Sequence, residues 1–266
     1  MTDSRPTMTS ARSRMGSSRL GGVPTTLAEG EAVAAQALPL DFGARPTERH
    51  DLMPGVVLIT GWLDLEQQKA LVDDFRGWAL PPAGLRHPRV PSGHLMTVQS
   101  VCLGWHWQPY AYSRTADDTD GAPVKPIPSD LVCMAQQAVA DTFGTEAGAR
   151  YAPDAVIANL YAADARLGLH QDGEEPSDAP VVTISIGDTC LFRMAGVDRR
   201  TSPFTDVELQ SGDLLVFGGP SRRIFHGVPK VYEGTGPRDI GLPPGRLSIT
   251  VRETGLPGRP PARMGS

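Results

Sequence analysis

This chain of 266 residues has few cysteines, no long apolar run and no excess of positive charge. Each of these features argues against a class of protein. The three cysteines are far apart and form no CxxC pair, so neither a zinc-binding motif nor a disulfide framework is predicted. No apolar run approaches the roughly 18 residues that cross a bilayer, and no signal peptide is evident. We therefore expect a soluble, cytoplasmic protein with reduced thiols and no membrane partner.

The formal net charge of -5 gives the chain no overall attraction to nucleic acid, although it leaves room for a local basic groove. Glycine and proline, by contrast, are plentiful, with 29 and 25 residues. This composition favours a β architecture rich in turns over a helix bundle.

Composition also divides the chain into segments. Residues 1–45 begin with a Ser-, Thr- and Arg-rich stretch almost free of large apolar residues, which predicts a disordered leader. A targeting peptide has a similar composition, and Met8 and Met15 are alternative start sites. We predict one folded domain over residues 46–256 and a flexible tail over residues 257–266.

Two helices are predicted in the first half of the domain. Asp64 is expected to cap a helix that ends near Trp78, and Ser129 to cap a second helix that ends near Thr142. Residues 105–120 are predicted to form a loop. The apolar residues expected on one face of the first helix are Leu65, Leu71, Val72 and Phe75.

Short apolar stretches separated by turn residues dominate the second half of the domain and predict strands. Together with an earlier strand over Gly55–Leu63, they indicate a mainly β (α+β) fold. We expect a double-stranded β-helix (jelly roll) core with the helices packed outside. The predicted strands are Ala155–Tyr161, Val181–Ile186, Cys190–Met194, Asp206–Leu209, Leu214–Phe217, Ile224–Val228 and Leu247–Val251.

A metal-binding pattern lies in this half. His170 and Asp172 are two residues apart, and on an extended chain such side chains point the same way with Cα atoms roughly 7 Å apart. His226, in a later apolar stretch, supplies a third donor. Two imidazoles and one carboxylate form the facial triad of non-haem Fe(II) oxygenases. Taken singly, an HxD pair occurs by chance and a lone strand histidine often only packs.

The segment from Arg246 to Arg252 alternates without a break between polar and apolar residues. An edge strand in water would show the same pattern. In a small barrel, however, the polar face lines a cavity, where the two arginines, about 20 Å apart at Cα, would grip the ends of a short dicarboxylate. Asn159 and Tyr161 share a face of another strand and offer neutral hydrogen bonds to the same cavity.

Together these residues resemble the AlkB family of nucleic-acid demethylases within the 2-oxoglutarate/Fe(II) dioxygenases. The resemblance runs from about Gly55 to Thr254 and is most specific in the paired arginines and the NxY strand. It implies that His170, Asp172 and His226 bind iron. It also implies a 2-oxoglutarate site made of Asn159, Tyr161, Arg246, Ser248 and Arg252, in which Ser248 replaces the asparagine of many members.

The resemblance further implies a pocket for a flipped base. Trp105 corresponds to the aromatic residue that stacks on the base, and Tyr110 and Met96 line the same pocket. Glu174 stands where bacterial repair members carry aspartate, which puts the base preference in doubt.

The implied activity is oxidative demethylation of N-alkylated bases, such as 1-methyladenine and 3-methylcytosine, with Fe(II), 2-oxoglutarate and O₂. The implied partner is single-stranded or locally opened DNA, with RNA as an alternative, and we expect a monomer. Two other readings stay open: a hydroxylase of a protein or small metabolite, and a non-catalytic jelly-roll binding module.

Overall fold

The computed structural model describes residues 45–258. Within them, the helices are α1 (Leu65–Ala79), α2 (Ser129–Phe143) and α3 (Thr145–Arg150), and short 3-10 turns cover Gly219–Ser221 and Arg238–Ile240. The strands are β1 (Glu48–Met53), β2 (Val56–Thr60), β3 (Gln99–Leu103), β4 (His106–Gln108), β5 (Ala111–Ser113), β6 (Ala155–Tyr161), β7 (Leu167–His170), β8 (Val181–Gly187), β9 (Cys190–Met194), β10 (Thr205–Leu209), β11 (Leu214–Phe217), β12 (His226–Val231) and β13 (Arg246–Arg252).

The strands form a seven-stranded sheet in the order β1-β2-β11-β8-β13-β6-β3 and a four-stranded sheet in the order β10-β9-β12-β7. One apolar cluster joins the seven-stranded sheet to α1 and α2. A second cluster joins the other face of that sheet to the four-stranded sheet. Two sheets around a core with helices on the outer face are the predicted jelly-roll arrangement, and the predicted fold class is confirmed.

Helix α1 begins where the sequence predicts. The Asp64 carboxylate accepts a hydrogen bond from Gln67 N, and the Gln67 side chain accepts one from Asp64 N, which forms a capping box. Leu65, the first of the apolar residues predicted on one face of this helix, is 44% exposed, whereas Leu71, Val72 and Phe75 are buried. Gln68 fills the buried position of the first turn instead, where its amide bonds Leu63 O and Ser211 Oγ.

Helix α2 differs from the prediction at its start. Pro128, not Ser129, is the N-cap residue, and Ser129 is the first helical residue. Proline suits this place because it has no backbone N–H to satisfy and its φ is fixed. The helix ends before Gly144, whose φ of 96° favours glycine, and the short helix α3 that follows was not predicted.

Residues 105–120 are more than the predicted loop. β4 and β5 form a hairpin in which Trp107 lies directly opposite Tyr112. Strands of three residues are too short to show an alternating pattern, which explains why this hairpin was missed.

The predicted leader (1–45) and tail (257–266) lie almost wholly outside the described residues, so the predicted domain bounds stay predictions. In the part of the chain that the structure describes, no helix has the length and apolar character needed to cross a membrane.

Candidate active site

His170, Asp172 and His226 come together where the two strands β7 and β12 pair. His170 ends β7, His226 begins β12, and the two residues are direct cross-strand partners whose ring centroids lie 4.4 Å apart. Asp172 follows β7 and is 2% exposed. One ligand atom from each of the three residues lies within 4.8 Å of the others, a separation that a single metal ion can bridge.

Both imidazoles are held in the tautomer that a metal requires. His170 Nδ1 lies 3.0 Å from Gly168 O, and His226 Nδ1 lies 3.1 Å from Ile224 O. Because a carbonyl only accepts, each Nδ1 carries a proton, and in a neutral ring Nε2 is then the nitrogen that offers a lone pair to a metal. Burial, and then the neighbouring His170, lower the pKa of His226 to about 4, so this ring is neutral at pH 7.

The Asp172 carboxylate has one oxygen committed and one free. Arg252 Nη2 donates to Oδ1 over 2.7 Å, whereas the buried Oδ2 has no hydrogen-bond partner among the described residues. Burial, the largest single effect, raises the pKa of Asp172, but the neighbouring basic groups, with Arg252 first among them, together outweigh it, and the pKa falls to about 2. A buried anionic oxygen without a donor, beside two imidazole lone pairs, fits a metal cation.

Three residues that sequence reasoning missed hold this carboxylate in place. Arg222 donates to Asp172 O over 3.0 Å, and Arg252 Nη1 donates to Glu175 Oε1 over 2.7 Å and to the Tyr112 hydroxyl over 3.0 Å. The Tyr112 hydroxyl in turn donates to Glu175. In the sequence, only the two acidic residues shortly after Asp172 point to Glu175 as part of the site. No sequence pattern near Tyr112 or Arg222 predicts their contacts.

A cavity next to the triad lies between the two sheets. It contains every residue predicted for the 2-oxoglutarate site and both histidines, and apolar side chains form much of the opposite wall. The lining residues are Asn159, Tyr161, Leu167, His170, Thr183, Phe192, His226, Gly227, Val228, Arg246, Ser248, Thr250 and Arg252.

Arg246 is buried at the far end of β13 from Arg252, with 1% of the residue exposed. Its Nε donates to Ser185 Oγ over 3.0 Å, and its guanidinium lies 5.1 Å from the centroid of the Tyr161 ring. Its Nη1 has no partner among the described residues. A buried guanidinium with a free donor that faces a cavity fits a carboxylate.

A row of neutral polar side chains crosses the sheet at a level between the two arginines. Ser100, Asn159, Ser248 and Ser185 lie side by side across β3, β6, β13 and β8, and Ser100 Oγ donates to Asn159 Oδ1 over 2.6 Å. The other face of β13 packs on the helices, so the alternation predicts both faces correctly. The edge-strand alternative fails, because β13 lies inside the sheet between β8 and β6.

The structure does not bring the four residues predicted to contact a base into this cavity. Trp105 is 8% exposed, the Arg114 guanidinium lies 3.4 Å from its ring centroid, and its Nε1 donates to Asp154 over 3.2 Å. Trp105 therefore exposes little ring surface on which a base could stack.

Tyr110, Met96 and Glu174 also lie outside the cavity. Tyr110 is at the tip of the β4–β5 hairpin, is 76% exposed and has a φ of 72°. Met96 is half-buried, and its backbone bonds Pro88. Glu174 is half-exposed beside the triad.

Trp107 is an aromatic residue that sequence reasoning missed. It is half-buried, and because it is opposite Tyr112 its side chain lies on the hairpin face that reaches Arg252 and Glu175. Its indole Nε1 has no hydrogen-bond partner among the described residues. No local pattern separates Trp107 from Trp105, because residues two apart on an extended chain share a face.

Comparison with known proteins agrees with this geometry. The profile of the 2OG-Fe(II) oxygenase superfamily matches residues 55–252. The chain is 32% identical over 224 residues to the DNA N(6)-methyladenine demethylase ALKBH1C of Arabidopsis thaliana, a match that covers 76% of this chain and 49% of that protein. The chain thus spans about half the length of this relative and of ALKBH1D from the same plant.

Two further matches cover nearly all of the known protein. The chain is 33% identical over 209 residues to the alpha-ketoglutarate-dependent dioxygenase AlkB of Salmonella typhimurium, with 76% of this chain and 91% of that protein covered. The solved structure of OsALKBH1 superposes with a TM-score of 0.68 at 32% identity and covers 77% of this chain and 100% of that chain. The iron and 2-oxoglutarate in the name of this superfamily fit the triad and the cavity beside it. The chain belongs to the AlkB family of the 2OG-Fe(II) oxygenase superfamily.

Proposed function

We propose that this protein is an Fe(II)- and 2-oxoglutarate-dependent dioxygenase that removes N-methyl groups from bases of nucleic acid and so repairs alkylated DNA. The observation that carries the proposal is the presence of two unsatisfied buried groups: Asp172 Oδ2 beside the two imidazoles, and Arg246 Nη1 in the cavity that those imidazoles help to line. The first group suits a divalent cation and the second a carboxylate.

His170, Asp172 and His226 would hold the iron, and the lining of the cavity would hold 2-oxoglutarate. Arg246 would pair with the carboxylate far from the metal, with Asn159, Tyr161 and Ser248 as neutral partners. Burial raises the pKa of Tyr161 to about 12, so its hydroxyl stays protonated and able to donate. Arg252 would lie by the carboxylate nearest the metal.

When bound, iron and 2-oxoglutarate would let O₂ oxidise an N-methyl group: one oxygen atom leaves with the methyl carbon as formaldehyde, and the other enters succinate as 2-oxoglutarate loses CO₂. The protein contributes orientation and a dry site. Apolar Leu167, Phe192 and Val228 flank the histidines, and Phe192 stacks on His226 with ring centroids 5.6 Å apart. Excluding water strengthens the ion pairs that fix the co-substrate.

The relatives support a nucleic-acid substrate. ALKBH1C is named a DNA N(6)-methyladenine demethylase, and the human relative ALKBH1, 31% identical over 160 residues, a nucleic acid dioxygenase. A base must leave the helical stack to reach a buried triad, which favours single-stranded or locally opened DNA. The cytoplasmic location and monomeric state stay predictions.

The contact with the base is proposed for Trp107 rather than Trp105. Trp107 is half-buried on the hairpin face directed to Arg252, whereas Trp105 is 8% exposed with the Arg114 guanidinium over its ring. An aromatic face is the usual platform for a base, since every base offers a π surface. Glu174, with no hydrogen-bond partner among the described residues, is available to accept from an exocyclic amine.

The deciding experiment offers the purified protein, with Fe(II) and 2-oxoglutarate, single-stranded oligonucleotides that carry 1-methyladenine, 3-methylcytosine or N6-methyladenine. We expect formaldehyde and succinate in equal amounts from at least one of them, and none of either from Asp172→Ala. Succinate without formaldehyde from any methylated DNA or RNA would reject the nucleic-acid substrate and favour the protein or metabolite hydroxylase. No turnover of 2-oxoglutarate under any condition would favour the non-catalytic module.

A further inference from the structure

Tyr112 links the β4–β5 hairpin to the residues that hold the Asp172 carboxylate, and it does so through one hydrogen bond that it donates and one that it accepts. Its hydroxyl donates to Glu175 and accepts from Arg252 Nη1, 3.0 Å away. Tyr112 is half-buried, whereas Arg252 is 6% and Glu175 1% exposed. Burial, with the charge of Glu175, raises the pKa of Tyr112 although Arg252 opposes this, so the hydroxyl keeps the proton that it donates.

Arg252 determines which carboxylate oxygen is left for the metal. Its Nη2 engages Asp172 Oδ1 over 2.7 Å, and its Nη1 engages Glu175 and Tyr112. A guanidinium is planar, so fixing Nη1 also fixes the direction of Nη2. Rotation of Arg252 would release Oδ1 and let the carboxylate turn away from the two imidazoles.

We propose that Tyr112 is a positioning residue: by holding Arg252 against Glu175 it keeps Asp172 Oδ2 directed at the metal, and it thereby couples the seating of the hairpin to metal binding. Among the bonds described here, Tyr112 makes the hairpin's link to this ion-pair network. The inference rests on the proposed metal role of the triad. By reciprocity, a metal that favours the seated Asp172 must also favour the seated hairpin.

The test is anaerobic titration of the apo protein with Co(II), a spectroscopic substitute for Fe(II), in the wild type and in Tyr112→Phe. Partners beyond the ligand shell commonly change metal affinity by 10- to 100-fold, and we expect Tyr112→Phe to weaken Co(II) binding by about 10-fold or more with altered Co(II) absorption bands. Tyr232→Phe, a half-buried tyrosine outside this network, is the matched control and should change neither.

Hydrogen exchange of residues 106–113, with and without Co(II), gives a second readout. Co(II) should slow exchange in the wild-type hairpin, and Tyr112→Phe should lose most of this protection. Two results would reject the role of Tyr112 while leaving the proposed function in place. One is unchanged Co(II) affinity and spectrum in a folded Tyr112→Phe, and the other is hairpin exchange in the wild type that Co(II) does not slow. A wild type that binds no Co(II) would instead reject the proposed function.

Discussion

Arg246 places its guanidinium inside the protein, with Ser185 and the face of Tyr161 as its neighbours. We predict that Arg246→Ala raises the KM for 2-oxoglutarate by roughly 30-fold or more, which corresponds to the loss of about 2–5 kcal/mol when one partner of a buried charged pair is truncated. Arg246→Lys should recover only part of this, because an ammonium cannot bond both carboxylate oxygens in one plane. Steady-state kinetics with varied 2-oxoglutarate measures the effect.

The matched control is Arg193→Ala, which removes a half-exposed arginine paired with Asp206 on the four-stranded sheet. It should leave the KM unchanged, since exposed ion pairs contribute little. Equal KM values in wild type and Arg246→Ala would show that the co-substrate binds elsewhere.

Substitution of the two tryptophans near the hairpin should have different effects: Trp107→Ala on activity and Trp105→Ala on stability. Trp107→Ala should slow demethylation of a short single strand by about 5- to 150-fold, the rate equivalent of roughly 1–3 kcal/mol of base stacking, while decarboxylation of 2-oxoglutarate continues. Trp105→Ala removes a buried ring together with its bond to Asp154, so it should lower the free energy of unfolding by about 3–5 kcal/mol. Urea denaturation and formaldehyde release measure both variants; loss of base-dependent activity in a stable Trp105→Ala would restore Trp105 as the platform.

The sequence predicts residues of the site only where the evidence is local. His170 and Asp172 are two residues apart, and Arg246 and Arg252 share one alternating strand, so short-range periodicity suffices to group them. Glu175 and Tyr112 become neighbours across 63 positions of the chain, and no periodicity records such a contact. Trp105 was chosen by resemblance, which marks a segment well but does not show which ring of two is covered.

At the scale of elements, the triad depends on how closely β7 and β12 approach. Gly227 follows His226, and a Cβ placed there would lie 2.7 Å from Leu167 O and 3.0 Å from Gly168 O. These are backbone atoms of the partner strand, so they can yield only if the strands separate. The close pairing that sets His226 beside His170 thus requires glycine at this position.

We predict that Gly227→Ala lowers the free energy of unfolding by about 1–3 kcal/mol, as overpacking does, and weakens Co(II) binding because the two histidines move apart. Gly168→Ala is the matched control in the facing strand, where a Cβ meets nothing within 4 Å. It should change stability by less than about 0.5 kcal/mol. Chemical denaturation and Co(II) titration compare the two; equal effects would mean that the strand separation does not position the ligands.

Which elements the sequence predicts follows from their length and setting. Strands β6, β9 and β11 have the predicted bounds, since apolar stretches between turn residues define them. β7 is as short as β11, but it was missed because Gly168 interrupts its apolar residues and it is only partly buried. β7 carries the ligand His170, and the hairpin carries Tyr112. These two elements are the ones that the sequence pattern predicts least well.

At the scale of the whole molecule, buried imidazoles make stability depend on pH. Burial, and then His170, lower the pKa of His226 to about 4, and burial with the nearby Arg86 lowers the pKa of His106. In the unfolded chain both rings titrate near 6.5. Between these values the unfolded chain binds more protons than the folded protein, so stability rises with pH across the window and is lost as the pH falls.

We therefore predict that the metal-free protein loses stability as the pH is lowered from about 6.5 towards 4, with His226 alone responsible for at most about 3 kcal/mol. Urea denaturation in the presence of a chelator, at intervals between pH 7 and pH 4.5, measures the slope. His226→Gln should reduce the slope and leave the part that belongs to His106, whereas His87→Gln, at an exposed position, should not change it. The slope is the quantity to compare, since each substitution also shifts the free energy of unfolding at every pH. If His226→Gln and the wild type show the same slope, the His226 ring is protonated or solvated in the metal-free protein, and the neutral ligand described for the triad would be wrong.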